Sequence, residues 1–166
     1  EGKWCTGPAE EMINVIKETA KEKFIIAENL GLIDKKVDEL LSYSNFPGMA
    51  VFQFGFDGNT KNPHLPHNYT NNLVAYTGTH DNNTLLGFIW ELDNYTRNTL
   101  LEYVGFTDPD WNKCYDTIIK TIYMSCADTL IMPIQNILGY RSDTRLNTPE
   151  KADGNWGYRI TKEQLE

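Results

Sequence analysis

A polar cluster built from a histidine, an aspartate and two asparagines is the part of this chain best suited to chemistry. The stretch 73–84 reads Leu-Val-Ala-Tyr-Thr-Gly-Thr-His-Asp-Asn-Asn-Thr. Its first residues predict a buried strand, the polar residues predict a loop, and the apolar residues after Thr84 predict a helix. In parallel α/β proteins such loops hold ligands and catalytic groups. His80 and Asp81 could therefore hold a polyhydroxylated substrate, although Asp81 is equally suited to cap the helix.

A second carboxylate, Glu28, follows the short apolar run Phe-Ile-Ile-Ala at 24–27. This run predicts another buried strand with Glu28 at its exit. Carboxyl ends of parallel strands meet at one edge of a sheet, so Glu28 and Asp81 are expected to face one cleft. Retaining glycosidases work with a pair of carboxyl groups, one as acid/base and one as nucleophile. The alternative is that Glu28 forms only a local cap or salt bridge.

Four ordered motifs, spread over most of the chain, resemble the 4-α-glucanotransferases of glycoside hydrolase family 77, also called amylomaltases or disproportionating enzymes. They are Ile-Ile-Ala-Glu-Asn-Leu-Gly at 25–31, Phe-Pro-Gly-Met-Ala-Val-Phe-Gln-Phe-Gly-Phe-Asp at 46–57, Tyr-Thr-Gly-Thr-His-Asp-Asn-Asn-Thr at 76–84, and Arg-Leu-Asn-Thr-Pro at 145–149 with Gly-Asn-Trp at 154–156. Because four motifs in the family's order are more specific than one, the chain is identified as similar to the C-terminal part of such an enzyme.

The resemblance implies roles for both carboxylates. Glu28 would be the acid/base, which protonates the departing glucosyl oxygen and later activates the incoming hydroxyl. Asp81 would hold ring hydroxyls in the −1 subsite and stabilise the transition state. The family's nucleophile is an aspartate in an Arg-x-Asp-His segment, which this sequence lacks. The 166-residue chain alone is therefore expected to be inactive.

The same resemblance implies four substrate-binding residues. His80 would hydrogen-bond the glucosyl unit that Asp81 holds, and Asn147 would bind a sugar hydroxyl. Phe54 and Asp57 would line the acceptor side.

At three positions the sequence departs from the family's pattern. Asn29 and Asn83 stand where the family usually or often has aspartate, and Glu150 stands where it usually has glycine. The two asparagines remove charge near the site, and Glu150 changes a loop that is expected to need flexibility.

Alternating strand and helix patterns predict an α/β protein with a parallel sheet. The strands are expected at 24–27, 49–54, 73–77 and 129–134, and the helices at 8–23, from Asp34 to about Leu41, and at 84–92, 96–104, 109–124 and 134–138; polar loops fill 55–72 and 140–157. An eight-stranded barrel needs about 250 residues, so half a barrel or a small open sheet both fit. The resemblance implies the C-terminal half of a (β/α)8 TIM barrel, about strands five to eight, with residues 1–166 forming one partial catalytic domain of a longer protein.

Composition excludes several classes of partner. The net charge of −8 argues against nucleic acid and anionic membrane as ligands, and no apolar run is long enough to span a bilayer. The three cysteines match no zinc or redox spacing, which favours thiols in a reducing compartment, although one disulfide stays open. We expect a cytoplasmic protein, or a plastid protein if its source is a plant or alga.

Two histidines of the 55–72 loop, His64 and His67, form a His-x-x-His pair. No third ligand accompanies them, so a loop-packing or binding-loop role is favoured over a metal site. The chemistry that the resemblance implies needs no metal and no organic cofactor.

Three functions fit these observations. The first is a 4-α-glucanotransferase that cleaves an α-1,4 linkage in a maltooligosaccharide or another α-1,4-glucan, forms a glycosyl-enzyme and passes the glucan to a sugar 4-hydroxyl. This activity would need the rest of the parent polypeptide as a partner. The second is an α-glucan hydrolase of the same clan, with water as acceptor. The third is a non-catalytic module that binds α-glucan.

Overall fold

A small parallel sheet with helices between its strands organises the chain. The computed structural model describes residues 5–31, 33–106 and 111–165. The strands are β1 (Gly48–Val51), β2 (Leu73–Tyr76) and β3 (Thr129–Ile131). The α-helices are α1 (Ala9–Ala20), α2 (Lys35–Ser44), α3 (Leu85–Glu91), α4 (Asn94–Tyr103), α5 (Trp111–Tyr123) and α6 (Ile134–Ile137). Short 3-10 turns lie at Phe52–Phe54, Pro66–Asn68 and Ser142–Thr144.

The sheet has the order β1-β2-β3, and both strand pairs are parallel. Ala75 of the central strand pairs with Ala50 on one side and with Leu130 on the other. Val74 and Ala75 are fully buried, as expected for a parallel strand that is covered on both faces. The prediction of an α/β fold with a parallel sheet is therefore confirmed.

The segment 24–27 is not a strand, so that prediction is wrong. One backbone bond ties it to the chain that enters β1, from Ala27 N to the carbonyl of Pro47 at 2.9 Å. The next link comes from a side chain, because Asn29 Oδ1 accepts the Met49 N–H at 2.7 Å. The Asn29 side chain thus occupies the Met49 N–H that a strand at 24–27 would need for its backbone ladder. Phe24 is 68% exposed rather than buried.

The strand predicted at 49–54 ends early. Val51 N donates to His64 Nδ1 at 3.0 Å, and the chain then turns into the 3-10 helix Phe52–Phe54. Met49 and Val51 lie two residues apart, so their N–H groups point to the same edge of the sheet. The side chains of Asn29 and His64 therefore cover the outer edge of β1, where a fourth strand would otherwise pair.

The main core lies between the sheet and helices α3, α4 and α5. Its buried members are Phe52, Leu85, Ile89, Leu100, Cys114, Ile118 and Ile122. The last three follow one another at intervals of four residues along α5, so they form one apolar face of the helix. This packing fixes α3, and with it the loop that joins β2 to α3.

Most helix predictions are confirmed to within a few residues at each end. Asp34 caps α2 as predicted, since its carboxylate accepts from Lys36 N and Val37 N at 2.9 and 3.0 Å, an interaction that typically stabilises by about 1 kcal/mol. The start predicted for α5 at residue 109 lies outside the described residues, and the helix is described from Trp111. Among the helices so described, none is long and apolar enough to cross a membrane.

Candidate active site

The loop 77–83 places His80 and Asp81 at the carboxyl end of the central strand, as predicted. Thr79 donates from its backbone N–H and its hydroxyl to Asn82 Oδ1 at 2.8 and 2.9 Å, which closes the loop into a tight turn. Thr84 caps α3 by accepting the Gly87 N–H at 3.1 Å. The alternative role of Asp81 as this cap is therefore excluded, and its carboxylate is available to other groups.

Asp81 is held by a loop far along the chain. Asn147 Nδ2 donates to Asp81 Oδ1 at 2.5 Å, and Arg145 Nη2 donates to the Asp81 carbonyl at 2.6 Å. Arg145 Nε also donates to the Asn147 carbonyl at 2.7 Å. His80 Nε2 lies 3.4 Å from the same carboxylate oxygen. The side chains of His80 and Asp81 remain about half exposed, 56% and 50%, so a ligand can reach both.

Glu28 and Asp81 line one open cleft of about 980 Å³ at the carboxyl edge of the sheet. The same cleft is lined by Phe54, Tyr76, His80 and Gln135 among others. Four of the six predicted site residues, Glu28, Phe54, His80 and Asp81, thus meet in one place. Asn147 joins them through its bond to Asp81.

Tyr76, the last residue of β2, is a neighbour of Glu28 that sequence reasoning did not single out. Burial raises the pKa of the Tyr76 phenol, and the negative charge of Glu28 raises it further. The phenol is therefore protonated at neutral pH and can donate a hydrogen bond inside the cleft.

Asp57 lies outside the lining of this cleft. Its carboxylate accepts the Asn59 N–H at 2.9 Å, and hydrogen bonds from Asn59 and Asn62 hold the pKa of Asp57 below its usual range. Phe54 does reach the cleft, and its ring packs edge to face on His64 with 5.5 Å between centroids. Of the two residues expected on the acceptor side, Phe54 therefore lines this cleft and Asp57 does not.

His64 and His67 pack the long loop. His64 accepts from Val51 N as described above, and His67 bonds through its two ring nitrogens to Tyr103 Oη and the Thr60 carbonyl, both at 2.9 Å. These contacts fit the loop-packing alternative. Among the residues that the structure describes, no three His, Cys, Asp or Glu side chains gather into a metal site.

A partly buried polar network ties the loop 77–83 to α3. Gln53 Nε2 donates to the Asn83 carbonyl at 2.8 Å, and Asn83 Nδ2 donates to Glu91 Oε1 at 2.7 Å and to Ser142 Oγ at 2.9 Å. An aspartate at 83 would bring a second carboxylate against that of Glu91, which is unfavourable. Asparagine, which donates to Glu91, therefore suits this position.

Arg145 and Trp156 complete the surroundings of the His80–Asp81 pair. Sequence reasoning gave Arg145 no role in the site and left open whether Trp156 stacks on sugar or packs under the barrel. Arg145 makes the two bonds described above, while the Trp156 ring lies 5.3 Å from the His80 ring, centroid to centroid. The available signal was their presence in the motifs at 145–149 and 154–156, on either side of a turn. The pairing itself depends on contacts about seventy residues apart, which no local pattern shows.

Comparison with known proteins gives concordant results. A family model described as 4-alpha-glucanotransferase matches residues 1–164. A chloroplastic/amyloplastic 4-alpha-glucanotransferase of Arabidopsis thaliana is 43% identical over 162 residues, which are 96% of this chain and 27% of that protein. A 4-alpha-glucanotransferase of Synechocystis is 39% identical and covers 99% of this chain, which spans 32% of it.

A solved structure agrees in fold. Amylomaltase from Streptococcus agalactiae in complex with acarbose superposes with a TM-score of 0.91 at 36% identity. The match covers 99% of this chain and 33% of that one. The chain thus spans about a third or less of the length of the relatives it matches.

Proposed function

The chain belongs to the 4-alpha-glucanotransferase family, glycoside hydrolase family 77, and we propose that it carries part of the active site of an enzyme that transfers α-1,4-glucan chains between maltooligosaccharides. The sequence resemblance is thereby confirmed at the level of the family. Because the chain spans about a third of its relatives' length, the activity is proposed for a longer protein of which residues 1–166 form a partial catalytic domain.

The observation that carries this proposal is the meeting of Glu28 and Asp81 in one cleft. Asp81 is fixed there by Asn147 and Arg145, whereas Glu28 is exposed beside Tyr76. Retaining glycoside chemistry needs a carboxyl group that exchanges a proton, the role proposed for Glu28, and a nucleophile, which would come from the rest of the protein. The fixed Asp81 carboxylate would bind the reacting glucosyl unit.

The proposed reaction is a double displacement. Glu28 protonates the departing glucosyl oxygen while an aspartate from the rest of the protein attacks the anomeric carbon and forms the glycosyl-enzyme. Glu28 then takes the proton of an acceptor's 4-hydroxyl, which attacks the same carbon and releases the aspartate. Asp81 and His80 bind ring hydroxyls of the reacting glucosyl unit, and their interaction strengthens as positive charge develops on the ring. No metal or organic cofactor enters these steps.

The proposed fold is the C-terminal half of a (β/α)8 TIM barrel. Four chain segments in sequence order, 24–28, β1, β2 and β3, lie side by side in the same order, as strands five to eight of a barrel would. The superposition on a chain of about three times this length supports the same proposal. The missing barrel strands would supply the nucleophile.

We assign the remaining binding residues by their positions relative to Asp81 and to the cleft. Asn147 would contact a sugar hydroxyl from its position on Asp81, and Phe54 would line the acceptor side of the cleft. Asp57 keeps its proposed acceptor-side role only if the longer protein or the substrate brings the 55–72 loop to the cleft. A cytoplasmic or plastid location fits relatives that include bacterial and chloroplastic/amyloplastic enzymes.

Product analysis after incubating the full-length protein with maltotriose tests the proposal. We expect glucose together with a ladder of longer maltooligosaccharides, and we expect Glu28→Gln to slow the formation of both by about 10²–10⁴-fold. Glu39→Gln is a matched control, because Glu39 is an exposed residue of α2 that pairs with Lys35 at 3.3 Å, and it should leave the ladder unchanged.

Two results would contradict the proposal. Glucose and maltose without a ladder would indicate a hydrolase, in which water replaces the sugar acceptor. Absence of any product from the full-length protein would indicate a module that binds α-glucan without catalysis.

A further inference from the structure

The indole of Trp156 lies beside the His80–Asp81 pair but takes no part in its hydrogen bonds. We propose that this indole binds a glucosyl ring of the substrate, the one next to the ring held by Asp81. The inference rests on the proposed function and adds to it a binding residue of stated chemistry.

The backbone at Trp156 holds the side chain in place against its conformational preference. Its φ of 61° lies in the left-handed region, which is unfavourable for a large side chain. Two bonds maintain it, from Trp156 N to the Leu146 carbonyl at 2.6 Å and from Arg159 Nη1 to the Trp156 carbonyl at 2.9 Å. A strained residue that persists at a site motivates a functional hypothesis.

The loop that carries Trp156 is fixed from within by the neighbouring Asn155. The Asn155 side chain accepts the Thr148 N–H at 2.9 Å and donates to the Lys151 carbonyl at 2.9 Å. The two ends of the loop therefore lie close together, with Asn147 on Asp81 at one end and Trp156 on His80 at the other. One loop thus brings an amide and an aromatic face to two consecutive residues of the loop 77–83, Asp81 and His80.

The exposure of Trp156 argues against a role in core packing. Its side chain is 54% exposed, and its ring neighbour is the half-exposed imidazole of His80, with 35° between the ring planes. Trp90 is a useful contrast, since it is 47% exposed but lies under the guanidinium groups of Arg97 and Arg141, each 5.8 Å from its ring. Cation–π contacts account for the position of Trp90, whereas the Trp156 indole lies against the ring of His80, a residue that lines the cleft.

Glucose presents the chemistry that such a residue would bind. Its hydroxyls project around the ring edge, so both ring faces are lined by C–H groups and are apolar. A flat aromatic face can cover one of them while His80 and Asp81 bond the hydroxyls of the adjacent ring. Binding sites of this kind combine aromatic surface with a few placed polar groups.

The test measures maltoheptaose affinity by calorimetry in the full-length protein carrying Glu28→Gln, so that turnover does not consume the ligand. We expect Trp156→Ala to weaken binding about tenfold, which corresponds to about 1.4 kcal/mol, and Trp156→Phe to retain most of the affinity. Saturating ligand should change the tryptophan fluorescence of the parent protein, and this change should disappear in Trp156→Phe. Trp90→Phe is the matched control and should preserve both affinity and the fluorescence response.

Several outcomes would overturn the inference. Unchanged affinity in Trp156→Ala, in a protein whose wild type forms the maltotriose ladder, would show that the indole only packs its loop. A lower kcat with unchanged affinity would show that Trp156 acts by orienting His80. If Trp156→Ala does not fold, Trp156→Leu decides the same question, because it is apolar but has no flat face. A wild type that forms no ladder would instead contradict the proposed function.

Discussion

Arg145 holds both the backbone of Asp81 and that of Asn147, the residue that donates to the Asp81 carboxylate. Its Nε and Nη2 groups donate to two different carbonyls, those of Asn147 and Asp81. Only a planar guanidinium offers donors in this fixed arrangement, since a lysine ammonium is a compact point charge. Arg145 therefore acts as a positioning residue, through Asp81 and Asn147.

We expect Arg145→Lys to lower kcat by about 10- to 100-fold, since hydrogen bonds that involve a charged group typically contribute about 1.5–3 kcal/mol. KM for maltotriose should change much less, because Arg145 contributes to the site through its hold on Asp81. Steady-state kinetics of the full-length protein would measure both constants. Arg141→Lys, on the outer side near Trp90, is the control, and equal losses in both variants would contradict the positioning role.

Glu150 occupies a backbone conformation that suits glycine better. Its φ is 78°, in the region where a side chain is disfavoured. The left-handed φ gives a physical reason why the family usually has glycine at this position. Sequence reasoning had suggested loop flexibility as the reason.

Replacing Glu150 with glycine should stabilise the protein by about 1 kcal/mol, because the strain of a left-handed non-glycine residue is removed. Urea unfolding of the full-length protein measures this as a higher midpoint. Glu39→Gly in the middle of α2 should change the midpoint in the opposite direction, by about 1 kcal/mol. A lower midpoint for Glu150→Gly would show that the Glu150 side chain makes contacts worth more than the strain.

At the scale of elements, the end of β1 depends on a neutral histidine. His64 Nδ1 must be unprotonated to accept the Val51 N–H, and burial lowers the pKa of His64 below 6.5, partly opposed by the negative charge of Asp57. As pH falls through 6.5 the unfolded chain takes up a proton before the folded chain does. The free energy of unfolding therefore contains a contribution from His64 that is complete above the unfolded pKa and declines as pH falls below it.

We expect His64→Gln to reduce the pH dependence of stability on the acid side of neutrality. The measurement is the free energy of unfolding of both proteins between about pH 5 and 8, the range in which histidine titrates. The wild type should lose more stability than the variant as pH falls, so the two curves converge. Parallel curves would contradict the argument.

The sequence predicted some elements better than others. The reason is a local contact in some cases and a distant contact in others. Asp34 marks the start of α2 because capping depends on the few residues that follow it. The failure at 24–27 has the opposite origin, since a strand forms only where a neighbouring backbone offers a ladder. Here the Asn29 side chain, instead of a strand backbone, accepts the Met49 N–H. No periodicity in the sequence shows that a side chain takes this place.

The candidate site shows the same division. The strand-loop-helix pattern placed His80 and Asp81 at the end of β2 by itself. The link from Asp81 to Asn147 joins residues 66 positions apart, and only the resemblance indicated that both belong to one site. Sequence reasoning did not single out Tyr76, because an aromatic residue at the end of an apolar run has the pattern of core packing.

At the scale of the whole molecule, the two edges of the sheet differ in what covers them. The outer edge of β1 is covered by Asn29 and His64, while β3 stands at the other edge of the described sheet with Ile131 40% exposed. An apolar residue on an edge strand is favourable where another strand pairs with it. In the proposed barrel the segment 24–28 lies beside β1, so further strands from the rest of the protein would pair beyond that segment and beyond β3.

The central claim is that Glu28 protonates the leaving group in a cleft where Asp81 stabilises the transition state. A sugar donor whose leaving group needs no protonation tests this claim most directly. We would compare α-maltosyl fluoride with maltotriose as donors for the full-length protein and its Glu28→Gln and Asp81→Asn variants, following fluoride release and glucose release. Glu28→Gln should slow maltotriose cleavage by about 10²–10⁴-fold but release the first equivalent of fluoride at a rate near that of the wild type, because this release precedes the step in which Glu28 acts as base. Asp81→Asn should slow both reactions. Equal loss of both reactions in Glu28→Gln, or undiminished cleavage of maltotriose, would contradict the claim.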